Sequence, residues 1–207
     1  MTPAITTGVA ATTDSAKRDA ILAAALDLFS RETFEGARVP AIADAAGVGA
    51  GTIYRYFDSK EALVNALYRH WKGALADALL DAVDETMSPR AMVGAFWRAL
   101  WRFASDHPQA FAFLETHHHA PYLDDASRAA GAAMGAAMSA HIVRMQATGE
   151  VRDLDPAVLS ALVFGAFTGI VKATLATGLP QDESLIAATE SAAWALVARE
   201  GTTDAHR

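Results

Sequence analysis

The chain has 207 residues, 52% of them hydrophobic, no cysteine and a formal net charge of −7. The length suits one ordinary domain or a small domain beside a larger one, and the apolar content supports a buried core. The lack of cysteine excludes disulfides, zinc–thiolate sites and thiol catalysis, and fits a reducing, cytoplasmic setting.

The first thirteen residues are rich in Thr and Ala, carry no Lys or Arg and contain no long apolar run. They do not read as a secretory leader, and residues 1–14 are expected to be a disordered tail. Ile21, Ala24, Ala25, Leu28 and Phe29 form one stripe at helical spacing, which predicts a helix over 16–31 capped by Asp14 or Ser15. Gly36 breaks the chain. Pro40 suits the first turn of a second helix, with Ile42, Ala45 and Ala46 facing inward and Gly47 ending it.

Residues 50–57 form a short third helix. Asp58 with Glu61 three residues on reads as a capping box for a fourth helix, which should reach about residue 86 before Ser88-Pro89 ends it. Met92, Val93, Phe96, Trp97 and Leu100 mark a fifth helix. Further helices are expected over 109–117, 126–148, 155–177 and 182–199. No run alternates with period two over the length of a strand, so the fold class is all-α, with about nine helices.

The charge is unevenly placed. Residues 15–75 hold eight basic and seven acidic side chains, and the rest of the chain holds nine and seventeen. The acidity therefore lies outside the segment that carries the most specific motif, and phosphate binding answers to the local field.

That motif is Ala41-Ile42-Ala43, then Ala46-Gly47-Val48, then Gly51-Thr52-Ile53-Tyr54-Arg55-Tyr56-Phe57 and Ser59-Lys60-Glu61-Ala62-Leu63. A short apolar helix, a glycine turn and a second short helix make a helix-turn-helix. In this order, with Ile21 and Phe29 upstream, residues 17–68 resemble the DNA-binding domain of the TetR/AcrR family of bacterial transcription regulators. The resemblance implies an N-terminal three-helix helix-turn-helix DNA-binding domain over 15–75, its motif at about 38–57. A larger helical effector-binding and dimerisation domain over 76–207 would follow.

It also implies contacts with double-stranded operator DNA. Gly49, Ala50 and Gly51 open the recognition helix with almost no side chain, which lets backbone N–H groups approach phosphate or base edges. Thr52 and Tyr54 offer hydroxyls to phosphate oxygens. Arg55 reaches a guanine edge or a phosphate, and Tyr56 a phosphate or a thymine methyl. Lys60 resembles the family's phosphate-binding lysine, and Lys17, Arg18 and Arg38 flank the DNA backbone. Arg38 stands where such proteins often have a capping Thr, and Pro40 where a basic residue is common.

In the C-terminal region, the helix after Asp155 presents Leu159, Leu162, Val163, Ala166 and Ile170, with Gly165 and Gly169 four apart. The last helix offers Leu185, Thr189, Ala192, Ala193 and Leu196. The resemblance implies that these two helices from each of two subunits form a four-helix homodimer interface. Residues 157–177 have the length of a membrane span, but Lys172 lies inside and Ser160, Thr168 and Thr174 interrupt it, so no membrane partner is expected.

Aromatic and sulfur side chains crowd the middle of the chain. Trp97, Trp101, Phe111, Leu114 and Tyr122 are candidate walls of a cavity for a small apolar or amphipathic effector of unknown identity, with Met134, Met138, Phe164 and Phe167. The competing reading of these residues is plain core. His117, His118 and His119 are consecutive, point in three directions and cannot all bind one ion, so no metal is assigned. His118 is the candidate polar anchor in the cavity, and His141 is the histidine that could approach it.

There is no Gly-rich phosphate loop, nucleophile elbow or His-Glu-x-x-His motif, so no catalytic residue and no cofactor are assigned. The expectation is a homodimeric repressor released from a palindromic operator by its effector. The alternative is an all-helical metal- or ligand-binding protein, or an enzyme, using the His117–His119 region.

Overall fold

In the computed structural model the described residues are 7–32, 34–116 and 121–200, and among them the chain forms nine α-helices. They are α1 (Thr7–Arg31), α2 (Val39–Ala45), α3 (Ala50–Tyr56), α4 (Lys60–Leu80), α5 (Pro89–Asp106), α6 (Pro108–Thr116), α7 (Asp125–Ala147), α8 (Pro156–Thr177) and α9 (Glu183–Val197). The one β-type pairing described is an isolated bridge between Val151 and Ala198. The contacts divide the chain into two compact units. The first comprises Met1–Trp71 with Pro108–Arg128, and the second Lys72–His107 with Ala129–Arg207.

In the first unit the predicted stripe of α1 is buried: Ile21, Ala25 and Phe29 are inaccessible, and Ala24 and Leu28 nearly so. The helix starts earlier than its sequence signals imply. Residues expected to be a disordered tail are helical from Thr7, so Asp14 and Ser15 lie inside the helix rather than at its cap. The Asp14 carboxylate instead accepts a hydrogen bond from the Tyr56 hydroxyl.

Pro40 sits in the first turn of α2 as expected. A seven-residue helix buries only a narrow face, here Val39, Ile42 and Ala43, so Ala45 is exposed rather than inward. The cap of α4 is Ser59, whose Oγ accepts from the Ala62 N–H at 3.1 Å, and not Asp58. The reciprocal box with Glu61 falls away, since Ser59 stands one residue nearer the helix. α4 also ends at Leu80, short of residue 86. The Asp84 carboxylate accepts from the Thr86 N–H at 2.7 Å and from its hydroxyl, an Asx turn that competes with another helical turn.

Residues 108–128 pack with the first unit, although the sequence places them beyond the DNA-binding domain. α6 lies on α1, where the Phe113 and Phe29 rings are 6.2 Å apart, and Tyr122 stacks on Phe34 at 4.4 Å. The fully buried Phe29 and Phe113 each contribute roughly 1.5–3 kcal/mol by leaving water.

The second unit is built on α5, which packs against α9, and on α8, which packs against α9 as well. Ser88 caps α5 with Pro89 in its first turn. Trp97 and Trp101 meet Phe167 edge-on at 5.4 and 5.2 Å. Trp97 Nε1 donates to Thr189 Oγ1 at 3.1 Å. Glu190 on α9 accepts from Arg90 at 2.9 Å and from Arg98 at 2.8 Å. α8 is bounded as its sequence signals require. Asp155 accepts from the Ala157 N–H at 2.8 Å, and Gly178 at φ +68° ends it in a conformation that favours glycine.

Candidate nucleic-acid interface and ligand cavity

The helix-turn-helix is set by one backbone position and two buried side chains. Gly47 takes φ +66°, its N–H bonds the Asp44 carbonyl at 3.1 Å, and the Val48 N–H bonds the Ala43 carbonyl at 3.0 Å. A residue with a Cβ would cost about 1–2 kcal/mol there. Ile53 and Phe57 then pin α3 to the core. Helical spacing leaves the opposite face outward, so Gly49, Ala50, Gly51 and Arg55 are exposed and Tyr54 is 52% exposed. A Cβ built on Gly51 would meet nothing within 4 Å, so its small size serves no internal packing.

The surrounding expected DNA contacts divide into two sets. Thr52 is half-buried, and Lys17 and Arg38 are exposed; Arg38 precedes α2 without a side-chain capping bond. The others are engaged inside the unit. Arg18 lies over the Phe57 ring at 5.4 Å, and the half-buried Tyr56 donates to Asp14. That hydrogen bond, with burial and the Asp14 charge, raises the Tyr56 phenol above its usual range. Lys60 Nζ lies 4.4 Å from the Phe34 ring centre, and burial lowers its pKa against the opposing pull of Glu35, Glu61 and Glu32.

The second unit carries a partly open cavity of about 460 Å³ lined by α4, α5, α7 and α8. Of the candidate walls, Met134, Met138 and Phe164 line it. Trp97, Trp101 and Phe167 are buried in the core beside it. Phe111, Leu114 and Tyr122 belong to the first unit. In Tyr122, burial followed by the Glu35 charge pushes the phenol up to about 12. His141 packs edge-on to the wall residue Phe96 at 5.7 Å. His118, with His117 and His119, lies outside the described residues. Among the described residues no three His, Asp or Glu side chains gather to hold a metal ion. The cavity walls absent from the predicted set include Lys72, Leu79, Val93, Leu100 and Val151, and an apolar stripe alone does not say which of its members border a void.

The candidate dimer residues also split. Leu162, Gly165, Gly169 and Ala192 are exposed, and Ala166, Ile170, Leu185 and Leu196 half-buried. Leu159 and Ala193 are buried within the protomer, Thr189 is held by Trp97, and Leu159 and Val163 border the cavity. α8 has the length and hydropathy of a membrane span, yet only 22% of its most apolar window is buried, and Leu175 is 73% exposed.

A glycine-turned helix pair with a small, polar outer face on its second helix defines a helix-turn-helix DNA reader. The family description "Bacterial regulatory proteins, tetR family" matches residues 21–67, and "Tetracyclin repressor-like, C-terminal domain" matches residues 73–199. The HTH-type transcriptional regulator RutR of Escherichia coli K12 is 34% identical over 163 residues, 78% of this chain and 76% of its own. The HTH-type transcriptional repressor NicS of Pseudomonas putida is 35% identical over 116 residues, 54% of this chain and 53% of its own. A TetR family transcription regulator from Marinobacter aquaeolei shares the fold, with a TM-score of 0.81 at 24% identity over 90% of this chain and 98% of that one. This chain belongs to the TetR family of bacterial transcription regulators. It is a DNA-binding regulator rather than an enzyme.

Proposed function

We propose that the protein is a cytoplasmic homodimeric repressor that leaves a palindromic operator when a small molecule fills the cavity of the second unit. The observation that carries the reading is the outer surface of α8. Val158, Leu162, Gly165 and Gly169 are exposed along one side of the most apolar helix among the described residues. Isolated apolar residues on a surface are ordinary, whereas a whole helix face of this kind needs a partner. Ala188, Ala192 and Ala195 of α9 are exposed too, and small side chains let helices approach closely. A second copy supplies the matching surface, and a two-fold pair of α3 helices reads two half-sites about 34–36 Å apart.

Repression follows if the dimer excludes the transcription machinery from the operator. Release follows if the ligand binds more tightly to a conformer with the two readers wrongly spaced. α4 begins beside the reader and carries the cavity wall residue Leu79 in its last turn, so it is the natural carrier of that change.

Sedimentation equilibrium at micromolar concentration tests the assembly. The wild type should have twice the protomer mass. Leu162→Asp should be monomeric, keep its helical content because Leu162 is exposed on the protomer, and lose most operator affinity. A monomeric wild type, or a Leu162→Asp protein that remains dimeric, contradicts the reading.

A further inference from the structure

We propose that the cavity of the second unit takes an uncharged, largely apolar molecule whose one polar group, a hydroxyl or a carbonyl, bonds the Ser160 hydroxyl. This rests on the effector-released reading above and names the chemical class of the effector.

The floor of the cavity is the first argument. Its buried wall residues are all apolar, among them Leu79, Val93, Leu100, Ile142, Val151 and Leu159. Apolar ligand surface laid against such a floor gains about 25 cal/mol per Å². A polar ligand group left there without a partner costs roughly 1–3 kcal/mol. The part of a ligand that enters deepest is therefore hydrocarbon. Met134 and Met138, on the half-buried part of the wall, are unbranched and adaptable, so the wall selects polarity more strictly than shape.

The polar groups of the wall are the second argument. Lys72 is its one charged side chain among the described residues, and Lys72 already has an interaction partner. No carboxylate lines the cavity. A ligand of either charge would give up hydration there without finding a free counter-charge. The other polar side chains are Ser139 on α7 and Ser160 on α8, both half-buried. Ser160 lies one helical turn from the wall residues Ala157 and Phe164, in the middle of the stripe that α8 turns to the cavity. Among the described residues neither hydroxyl bonds another protein group, so both are open to a ligand. A serine hydroxyl donates and accepts, and so meets an alcohol or a ketone equally well. Two hydroxyls cannot satisfy the many polar groups around a sugar or a nucleobase, whereas an apolar body with one neutral oxygen matches what the wall offers.

Calorimetric titration of the full-length protein at neutral pH tests this on two skeletons, one flexible and one rigid, each with three head groups. The probes are 1-decanol, decanoate and decylamine, below their micellar concentrations, and 1-adamantanol, adamantane-1-carboxylate and 1-adamantanamine. On at least one skeleton the alcohol should bind once per protomer and about tenfold or more tighter than both of its charged counterparts. Ser160→Ala should lower that affinity by about threefold to tenfold, the worth of one hydrogen bond. Ser160→Asp supplies a carboxylate and should reverse the order, with the ammonium above the alcohol. Both variants should keep the helical content of the wild type. A carboxylate or ammonium that binds the wild type as tightly as its alcohol overturns the neutral class, and so does uptake of no probe at all. Unchanged alcohol affinity in Ser160→Ala, or an unchanged order in Ser160→Asp, overturns the serine anchor. Operator binding by the ligand-free wild type is measured in parallel. A bound operator with no alcohol uptake sinks the ligand class alone. Saturating alcohol on a protein that keeps its operator leaves the class standing and sinks the release reading.

Discussion

Asn65 on α4 holds Asp124 at the start of α7. Its Oδ1 accepts from the Asp124 N–H at 2.9 Å, and its Nδ2 donates to the Tyr122 carbonyl at 2.8 Å. Arg69, one turn further along α4, donates to the Asp124 carboxylate and to Ser127 Oγ, and Asp124 in turn accepts from the Ser127 N–H at 2.7 Å. The part of α4 that follows the reader is thereby bonded to the first turn of α7, the helix whose later turns border the cavity.

Asn65 is buried, and its removal takes a hydrogen-bond partner from two part-buried main-chain groups. Asn65→Ala should therefore destabilise the protein by about 2 kcal/mol, within the roughly 1–3 kcal/mol cost of an unsatisfied buried group. Urea unfolding measures it. A change below about 0.5 kcal/mol, the range of ordinary surface substitutions, would mean that the bonds add nothing.

Gly51 separates binding from folding. Gly51→Ala adds a methyl group that meets nothing, and alanine gains up to about 1 kcal/mol of helix propensity over glycine. The variant should be as stable as the wild type or more so, yet bind operator about tenfold more weakly, because backbone approach to DNA is obstructed. Fluorescence anisotropy beside a melting curve checks both halves. Unchanged affinity would show that α3 does not approach DNA by its glycine end.

Tyr54→Ala should weaken binding to all duplexes alike without changing stability, since Tyr54 projects into solvent. Arg55→Ala should relax base preference at one position per half-site if Arg55 reads a base. A uniform loss across sequences would make Arg55 a phosphate contact.

His141 gives the second unit a pH dependence. Burial first, and then the neighbouring Arg144, lowers its pKa below the usual 6.5, against an opposing pull from Glu85. The unfolded chain binds a proton more readily than the folded one, so this contribution to stability is full above pH 6.5 and is lost as the pH falls below it. His141→Phe should flatten the fall in urea midpoint over that range. An equally steep fall in the variant would assign the dependence to other groups.

Gly94 accommodates Glu190. A Cβ on Gly94 would lie 2.8 Å from Glu190 Oε1 and 3.2 Å from its Cδ, and Arg90 and Arg98 hold that carboxylate in place. Gly94→Ala should cost about 1–3 kcal/mol, the scale of overpacking, despite the better helix propensity of alanine. A rise in melting temperature would contradict it.

Helical period and caps made most elements legible. Asp155-Pro156 and Gly178 bound α8 because an N-cap, an N1 proline and a left-handed glycine are local chemistry. The reader was legible because its glycine turn and its buried Ile53 and Phe57 act within a few residues of one another. What was not legible depends on the partner of an apolar face. Phe113 could have packed on either unit, and only the folded chain sets it on Phe29. Trp97 and Met138 look alike as large apolar residues on helices, yet one is solid core and the other borders the void. The sequence marks Lys60 only as an expected phosphate contact, and the folded chain is needed to show its ammonium 4.4 Å from the Phe34 ring centre.

The central claim, that a dimer reads a palindrome through α3, is tested most directly by selection from a random duplex library at about 150 mM salt, where non-specific phosphate binding is screened. The account predicts enrichment of a single palindrome with half-site centres about 10 base pairs apart, and loss of that enrichment in Gly51→Ala. Folded protein that enriches no sequence, or only an unrepeated one, would contradict it.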